Sequence, residues 1–158
     1  MGNISKYVHE LLVKKRLTLS IAESCTGGML ASSLTEHPGS SRYLTLGIVA
    51  YSNRAKKDIL GIPESVIAKN GAVSKRVAEL MSLGAIKISG SKIGVGITGV
   101  AGPSGATLKK PKGTVFIAVA KGKKVLCKKF SLKGNRKKIR TQSVLKALGL
   151  LKFILTPL

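Results

Sequence analysis

Segments with helical periodicity alternate with short apolar runs along this chain of 158 residues, and this alternation restricts the fold more than any other feature. Apolar residues recur every three or four positions in "ISKYVHELL", which predicts an amphipathic first helix. A short strand is expected over Leu17–Ala22, and a helix over Gly28–Glu36 that ends near Pro38-Gly39. Alternation of this kind is typical of α/β proteins, in which helices cover a central sheet.

The rest of the chain continues the pattern. The apolar, β-branched run Leu44–Ser52 predicts a strand buried on both faces. Asn53, Ser74 and Asn135 are expected to cap the helices that follow them, the last of which should run from Arg136 to about Leu155. In the helix after Ser74 the residues expected to face inwards are Val77, Leu80, Met81 and Ile88.

Two further features complete the predicted fold. "KIGVGITGVAGP" resembles a strand that ends in a Gly-rich loop, and "TVFIAVAKGKKVLCKKFSLKG" predicts two antiparallel strands joined by a tight turn at Lys121-Gly122-Lys123. The sequence therefore predicts a single domain over residues 1–158, folded as a three-layer α/β/α sandwich with a mixed β-sheet.

Charge is the unusual feature of the composition: 28 Lys and Arg residues face only six acids, for a net charge of +22. Such a field attracts nucleic acid, anionic lipid or phosphorylated small molecules. Because the lysines are spread over the whole chain and aromatic residues make up only 4%, we expect a general basic bias and no sequence-specific nucleic-acid partner.

Cysteine and apolar content restrict location and metal binding. The two cysteines, Cys25 and Cys127, lie far apart and form no metal-ligand cluster, so a reduced cytoplasmic protein with no bound metal is expected. No apolar run approaches the ~20 residues of a membrane span, and we expect no membrane partner.

Three polar or Gly-rich segments follow predicted strands: "ESCTGG", "YSNRAKK" and "TGVAGPSGATLKKPKG". Ligands of open α/β sheets bind beyond the carboxyl ends of the strands, so these segments form the candidate site. Gly27-Gly28 at the start of a helix would offer N–H groups to a phosphate or an oxyanion. Alternatively, Ser24 or Thr26 is only a helix cap and Cys25 only a small buried side chain.

The chain contains few residues that could serve as a catalytic acid or base. A Ser-His-Asp triad needs a histidine and a carboxylate beside the serine, but His9 and His37 fall on or at the end of helices and Asp58 is the sole aspartate. A lysine can replace histidine as base if burial or neighbouring positive charge lowers its pKa. The segment "YSNRAKK" offers Lys56 and Lys57 for this role, with Tyr51 close by.

Several motifs together carry a family resemblance: "AESCTGG", "PGSS", "VAYSNRAKKDILGIP", "NGAVSKRVAELMSLGA", "GITGVAGPSG" and "KPKGTVFIAVA". In order and spacing they resemble the CinA C-terminal domain family, which includes nicotinamide mononucleotide amidohydrolases, over about residues 4–155. The resemblance implies an α/β/α domain that deamidates nicotinamide mononucleotide to nicotinic acid mononucleotide and ammonia, with no metal or organic cofactor.

The resemblance also implies roles for individual residues. Ser24 corresponds to the nucleophile and Lys56 to its base, and Tyr51 of the same motif is expected beside them as a third catalytic residue. The residues expected to bind the nucleotide substrate or the oxyanion are Thr26, Gly27, Gly28, Thr98, Gly99 and Arg140. The loop "SGATLKKPKG" departs from the family pattern, because Lys109 and Lys112 stand where acidic or apolar residues are usual.

An alternative reading is a non-catalytic basic module that binds nucleic acid or another phosphorylated partner. The feature that separates the two is the pairing of Ser24 with Lys56, which electrostatic binding does not require. The sequence leaves open whether the chain forms a homo-oligomer.

Overall fold

The computed structural model describes residues 1–156, which form a five-stranded sheet between two layers of helices. The first half contains α1 (Gly2–Lys15), β1 (Leu19–Glu23), α2 (Met29–Thr35), a 3₁₀ turn (Ser40–Arg42), β2 (Leu44–Val49), α3 (Asn53–Asp58) and α4 (Glu64–Asn70). The second half contains α5 (Lys75–Ser89), β3 (Ile93–Gly99), β4 (Thr114–Lys121), β5 (Lys124–Ser131) and α6 (Arg136–Leu155).

The sheet is mixed, with the strand order β2-β1-β3-β4-β5. β1 runs parallel to both β2 and β3, whereas β4 and β5 form an antiparallel hairpin attached to β3. The carboxyl ends of β1, β2 and β3 therefore meet at one edge of the sheet, where the loops that follow them come together.

The core lies on both faces of the sheet. On one face, buried side chains of α1, α2 and α6 pack against alternate residues of β1, β3 and β4, such as Ile21, Val95 and Ile117. On the other face, Val77 and Met81 of α5 pack with residues around α3 and α4. Because both faces are covered, the central strands β1 and β3 are almost wholly buried.

Glycine allows α5 to approach the sheet closely. A Cβ atom on Gly94 would lie 2.2 Å from the Ser82 carbonyl oxygen, and one on Gly96 would lie 2.2 Å from the Ala78 carbonyl oxygen. Both carbonyls belong to α5, so the helix backbone rests directly on β3. The alternation of glycine with β-branched residues in "IGVGITG" thus gives β3 one bulky face and one flat face.

The predicted fold class is confirmed, and so are several of its details. α6 has the predicted bounds, and Asn135 and Ser74 accept N-cap hydrogen bonds from Lys138 and Val77. The turn between the two antiparallel strands includes Gly122, as expected.

Three local predictions were wrong. β2 is an edge strand whose residues alternate between half-buried and exposed, because successive side chains point to opposite faces and one of the two faces is open to solvent. Ser52, rather than Asn53, caps α3 by accepting the Ala55 N–H. Ile88, in the last turn of α5, is exposed because it lines an open groove between α5 and the segment 59–61. Among residues 1–156, no helix combines the length and apolar character that crossing a membrane requires.

Candidate active site

A cleft of about 220 Å³ opens at the edge of the sheet where the parallel strands end. Its walls come from the loop after β1, the start of α3, the Gly-rich loop after β3 and the first residue of α6. The predicted residues that line it are Ser24, Cys25, Tyr51, Lys56, Thr98 and Gly99. Four other predicted residues lie outside this lining: Thr26, Gly27 and Gly28 belong to the loop that carries Ser24, and Arg140 binds that loop.

Ser24 and Lys56 form the centre of the site. The Lys56 Nζ atom lies 3.0 Å from Ser24 Oγ, 3.0 Å from the Ala50 carbonyl oxygen and 3.3 Å from the Tyr51 carbonyl oxygen. Lys56 is 2% exposed and Ser24 is 8% exposed. A lysine amine and a serine hydroxyl are therefore held within hydrogen-bond distance at the base of the cleft, where both side chains have little access to solvent.

Burial lowers the pKa of Lys56 below its ordinary value, because the amine leaves water on folding. Negative charge on the Cys25 sulfur would act in the opposite direction and raise this pKa. Among residues 1–156 the three hydrogen-bond partners of Nζ are uncharged oxygen atoms, and no carboxylate of this part of the chain contacts the amine to stabilise the ammonium form. The environment thus favours the neutral amine more than water does.

Cys25 is adjacent to the pair but has a different character. Its side chain is buried, and burial raises the pKa of the thiol to about 11. Since only the thiolate is a strong nucleophile, this thiol stays protonated and unreactive near neutral pH. Cys25 therefore behaves as a small buried side chain, and Ser24 is the hydroxyl that faces the base.

Glu23 holds the start of α2 from within the core. Its buried carboxylate accepts hydrogen bonds from the N–H groups of Gly28, Leu30 and Ala31 at 3.1, 3.2 and 2.9 Å. Of the two N–H groups that the sequence suggested for a phosphate here, that of Gly28 donates to Glu23 and that of Gly27 donates to the Ser24 carbonyl oxygen. Sequence reasoning missed this role, although an acid just before "SCTGG" is a signal for it.

Arg140 fixes the same loop from the opposite side. Its Nε donates to the Cys25 carbonyl oxygen at 3.1 Å and its Nη2 donates to the Thr26 carbonyl oxygen at 3.0 Å. A Cβ atom on Gly27 would lie 3.1 Å from Arg140 Nη2, and Gly27 has a positive φ of 59°. A glycine here permits both the turn and the close approach of the guanidinium.

Thr26, within this loop, has a fully buried side chain. Its Oγ1 has no hydrogen-bond partner within the part of the chain that the structure describes. Thr98, on β3, is also buried and donates from Oγ1 to the Ala72 carbonyl oxygen at 2.8 Å, which ties the strand end to the segment before α5.

Arg136 is a cleft residue that sequence reasoning missed. Its Nη1 donates to the Gly102 carbonyl oxygen at 2.7 Å and its Nη2 donates to the Tyr51 hydroxyl at 2.8 Å. Tyr51 is 58% exposed, so its phenol lies at the mouth of the cleft while its carbonyl contacts Lys56. The only sequence signal for Arg136 was its place immediately after the predicted cap Asn135.

The lysines of the unusual loop do not converge on Ser24. Lys110 Nζ donates to the Asn70 carbonyl oxygen at 2.7 Å, and the Lys112 side chain packs across Gly102. Lys109 is exposed. Over residues 1–156, no group of three or more His, Cys, Asp or Glu side chains has the arrangement of a metal site.

These observations define an α/β/α protein with a buried serine–lysine pair at the carboxyl edge of a mixed sheet. The chain belongs to the CinA C-terminal domain family, whose family model matches residues 2–155.

Individual relatives agree with this assignment. A CinA-like protein of Syntrophus aciditrophicus (strain SB) is 44% identical over 146 residues, which cover 92% of this chain and 35% of the relative. A CinA-like protein of Geotalea uraniireducens (strain Rf4) is 47% identical over 137 residues, 87% of this chain and 33% of the relative. The chain thus spans about a third of the length of these curated relatives.

A solved structure shares the whole fold. The crystal structure of the competence/damage inducible protein CihA from Agrobacterium tumefaciens superposes with a TM-score of 0.95 at 35% sequence identity, covering 98% of this chain and 95% of that chain.

Proposed function

We propose that this protein is an amidohydrolase that deamidates nicotinamide mononucleotide to nicotinic acid mononucleotide and ammonia, with Ser24 as nucleophile and Lys56 as general base. The observation that carries the proposal is the 3.0 Å contact between Lys56 Nζ and Ser24 Oγ, at a site where the described residues place only uncharged oxygen atoms against the amine. The family resemblance supplies the substrate.

The hydrogen bonds around Lys56 suit a group that must exchange a proton. A neutral amine has two N–H donors and one lone pair. The carbonyl oxygens of Ala50 and Tyr51 accept the two N–H bonds, and the lone pair is then directed at the Ser24 hydroxyl. In the ammonium form all three partners accept. Both protonation states are therefore satisfied without rearrangement of the site.

The proposed reaction has two steps, acylation of Ser24 and hydrolysis of the acyl-serine ester. Ser24 Oγ attacks the carboxamide carbon while Lys56 takes the hydroxyl proton, and the collapse of the tetrahedral intermediate transfers that proton to the departing ammonia. A water molecule then attacks the acyl-serine ester, again with Lys56 as base. This step releases the carboxylic acid and regenerates the Ser24 hydroxyl.

The oxyanion needs donors close to Ser24. The Gly27 N–H donates to the Ser24 carbonyl oxygen and the Gly28 N–H donates to Glu23, so these two groups are already used. Within this loop the N–H groups of Cys25 and Thr26 remain as candidates for the oxyanion hole, beside those of Thr98 and Gly99 at the end of β3. At the cleft mouth, the Arg136 guanidinium is the cation suited to the substrate phosphate.

The test is ammonia release from nicotinamide mononucleotide by the purified protein and its variants. We expect Ser24→Ala and Lys56→Ala each to lower kcat by several orders of magnitude, and the double variant to be scarcely slower than either, because residues that act as one unit are not additive. Lys56→Arg should not restore turnover, because a guanidinium stays protonated. Near-normal turnover by folded Ser24→Ala would refute the proposal.

A further inference from the structure

The chain contains only two histidines, and the fold brings them together. His9 lies on α1 and His37 follows α2, and the centroids of their rings are 5.2 Å apart, with 44° between the ring planes. Both side chains are half-buried. Histidine is the side chain whose ordinary pKa lies between pH 5 and pH 8, so mild acid adds two like charges to this one place in the fold.

Tyr43 connects His9 to the end of α2 and to the sheet. His9 Nδ1 lies 3.2 Å from the Tyr43 hydroxyl oxygen, and that hydroxyl donates its proton to the Leu34 carbonyl oxygen at 3.1 Å. The Tyr43 carbonyl oxygen accepts the Leu19 N–H at 2.7 Å. Because Tyr43 is 1% exposed, one buried phenol ties α1 to the last turn of α2 and to the first residue of β1.

Ser5 makes a second connection, from α1 to the segment after α2. Its Oγ lies 2.9 Å from His37 Nε2 and donates to the Gly2 carbonyl oxygen at 3.2 Å. A hydroxyl group has one proton, which Ser5 and Tyr43 each give to a carbonyl oxygen, so the ring nitrogens are the donors in both histidine contacts. Each ring then takes up a proton on its other nitrogen and keeps its hydrogen bond. The effect of acid is therefore repulsion between the two rings.

Charged groups lie on the elements that pack around the pair. They are Lys6 and Glu10 on α1, Glu36 at the end of α2, Arg42 in the 3₁₀ turn and Lys152 on α6. Burial lowers the pKa of His9, and positive charge on His37 lowers it further. Glu10 opposes this shift and Arg42 adds to it. Between the lowered pKa and ~6.5 only the unfolded chain holds the proton, so the free energy of unfolding falls as pH falls through this range.

We infer that His9 and His37 form a pH-sensitive latch between α1 and residues 36–43, which holds when the rings are neutral and loosens when both are charged. Tyr43 directly precedes β2, so the latch lies at the end of the sheet opposite to Ser24 and acts independently of turnover there. Two unit charges 5.2 Å apart shift an equilibrium by ~4-fold even at the dielectric constant of water, and by more in a half-buried cluster.

α1 is the element that this repulsion loosens. Its buried residues are Ser5, Val8 and Leu12, and Ser5 belongs to the latch itself. Two apolar side chains thus remain to hold the helix on the core once the latch is charged. α5 offers a comparison within the same molecule, because it packs on the other face of the sheet and far more of its residues are buried.

The first test is a double-mutant cycle of His9→Gln and His37→Gln, unfolded in urea at pH 5 and pH 8 as untagged protein. Glutamine keeps a hydrogen-bonding side chain and acquires no charge. We expect the coupling between the two positions to destabilise the wild type by a further ~4-fold or more in the unfolding equilibrium at pH 5. The control cycle pairs His37→Gln with Lys14→Gln, an exposed charge further along α1, and its coupling should stay constant. Equal coupling of the histidines at both pH values would overturn the inference.

The second test locates the loosened element. His37→Gln should raise the pKa of His9, measured by NMR from the ring protons, because it removes a neighbouring positive charge. Amide hydrogen exchange, corrected for intrinsic rates, should show protection of α1 falling relative to α5 from pH 8 to pH 5 in the wild type, and no such change in the double variant. Equal loss of protection in α1 and α5 would overturn the inference, because acid would then destabilise the whole domain.

Discussion

The buried amine of Lys56 makes a testable link between protein stability and pH. In the unfolded chain a lysine titrates near 10.4. In the folded chain burial lowers the pKa of Lys56. The substitution Lys56→Met removes the amine, keeps an unbranched side chain of similar size and so eliminates this titration. Comparing the two proteins isolates the contribution of one proton.

The sign and the slope follow from the two pKa values. Below the folded pKa both states bind the proton, and the native state bears the whole cost of a buried ammonium. Between the folded pKa and ~10.4 only the unfolded state keeps the proton, so the free energy of unfolding rises by ~1.4 kcal/mol per pH unit. Above pH ~10.4 Lys56 is deprotonated in both the folded and the unfolded state, so the free energy of unfolding no longer rises with pH. The free energy of unfolding of the wild type should therefore rise with this slope, relative to that of Lys56→Met, as pH increases.

Urea unfolding of both proteins at intervals from pH 6 to pH 10.5 measures this difference, because the other titrating groups cancel. Lys57→Met is the matched control. Lys57 is exposed and pairs with Glu64, so its removal subtracts the same charge without removing a buried amine. The control should run nearly parallel to the wild type across the range in which Lys56→Met diverges.

The same proton should govern turnover of the wild type. kcat/KM of the wild type should rise with pH through the range in which the stability difference begins to grow, because both report loss of the Lys56 proton. If wild type and Lys56→Met instead run parallel from pH 6 to pH 10.5, the folded amine is still charged there. Lys56 could not then serve as a base, and the proposed mechanism would be wrong.

Three other predictions concern the loop, the sheet and metal. Glu23→Gln places an amide where the carboxylate accepts three N–H groups, and should lower the free energy of unfolding by ~1.5–3 kcal/mol and reduce kcat, as measured by urea unfolding and ammonia release. Gly96→Ala should lower the free energy of unfolding by ~1–3 kcal/mol, because its Cβ would clash with the Ala78 carbonyl oxygen. Gly149→Ala should raise it by up to ~1 kcal/mol, because there is open space around Gly149 in α6. A similar effect of the two substitutions in urea unfolding would contradict the packing argument. Turnover should survive EDTA, and restoration of lost activity by zinc or manganese would contradict the serine–lysine chemistry.

Periodicity and capping residues were sufficient to predict the fold class. "NRKKIRTQSVLKALGLLKFIL" predicts its helix because Asn135 fixes the start and twenty residues without Pro follow it. β2 was harder, because an apolar run does not reveal whether a strand is central or at an edge. Its exposed residues, such as Val49, follow from strand order, which depends on long-range pairing rather than on local sequence.

The sequence predicted the cleft residues that directly follow a strand better than those whose position depends on tertiary packing. Ser24 and Lys56 stand directly after strands or one turn into a helix, so topology alone brings their segments together. The side-chain directions of Glu23 and Arg136 depend on tertiary packing, and no periodicity encodes them. Arg140 was expected near the substrate, and the structure shows its guanidinium bound to the Cys25 and Thr26 carbonyls.

The scarcity of acids around Lys56 is itself part of the proposed chemistry. A carboxylate in contact with the amine would favour the ammonium and raise its pKa, which would disable the base at neutral pH. Glu23 is next to Ser24 in sequence, but its two oxygens are occupied by three N–H groups of the α2 start. The buried Glu23 carboxylate thereby orders the loop that carries Ser24, and its own hydrogen bonds keep it out of contact with the Lys56 amine. The carbonyl groups of Ala50 and Tyr51 supply uncharged acceptors to the amine instead.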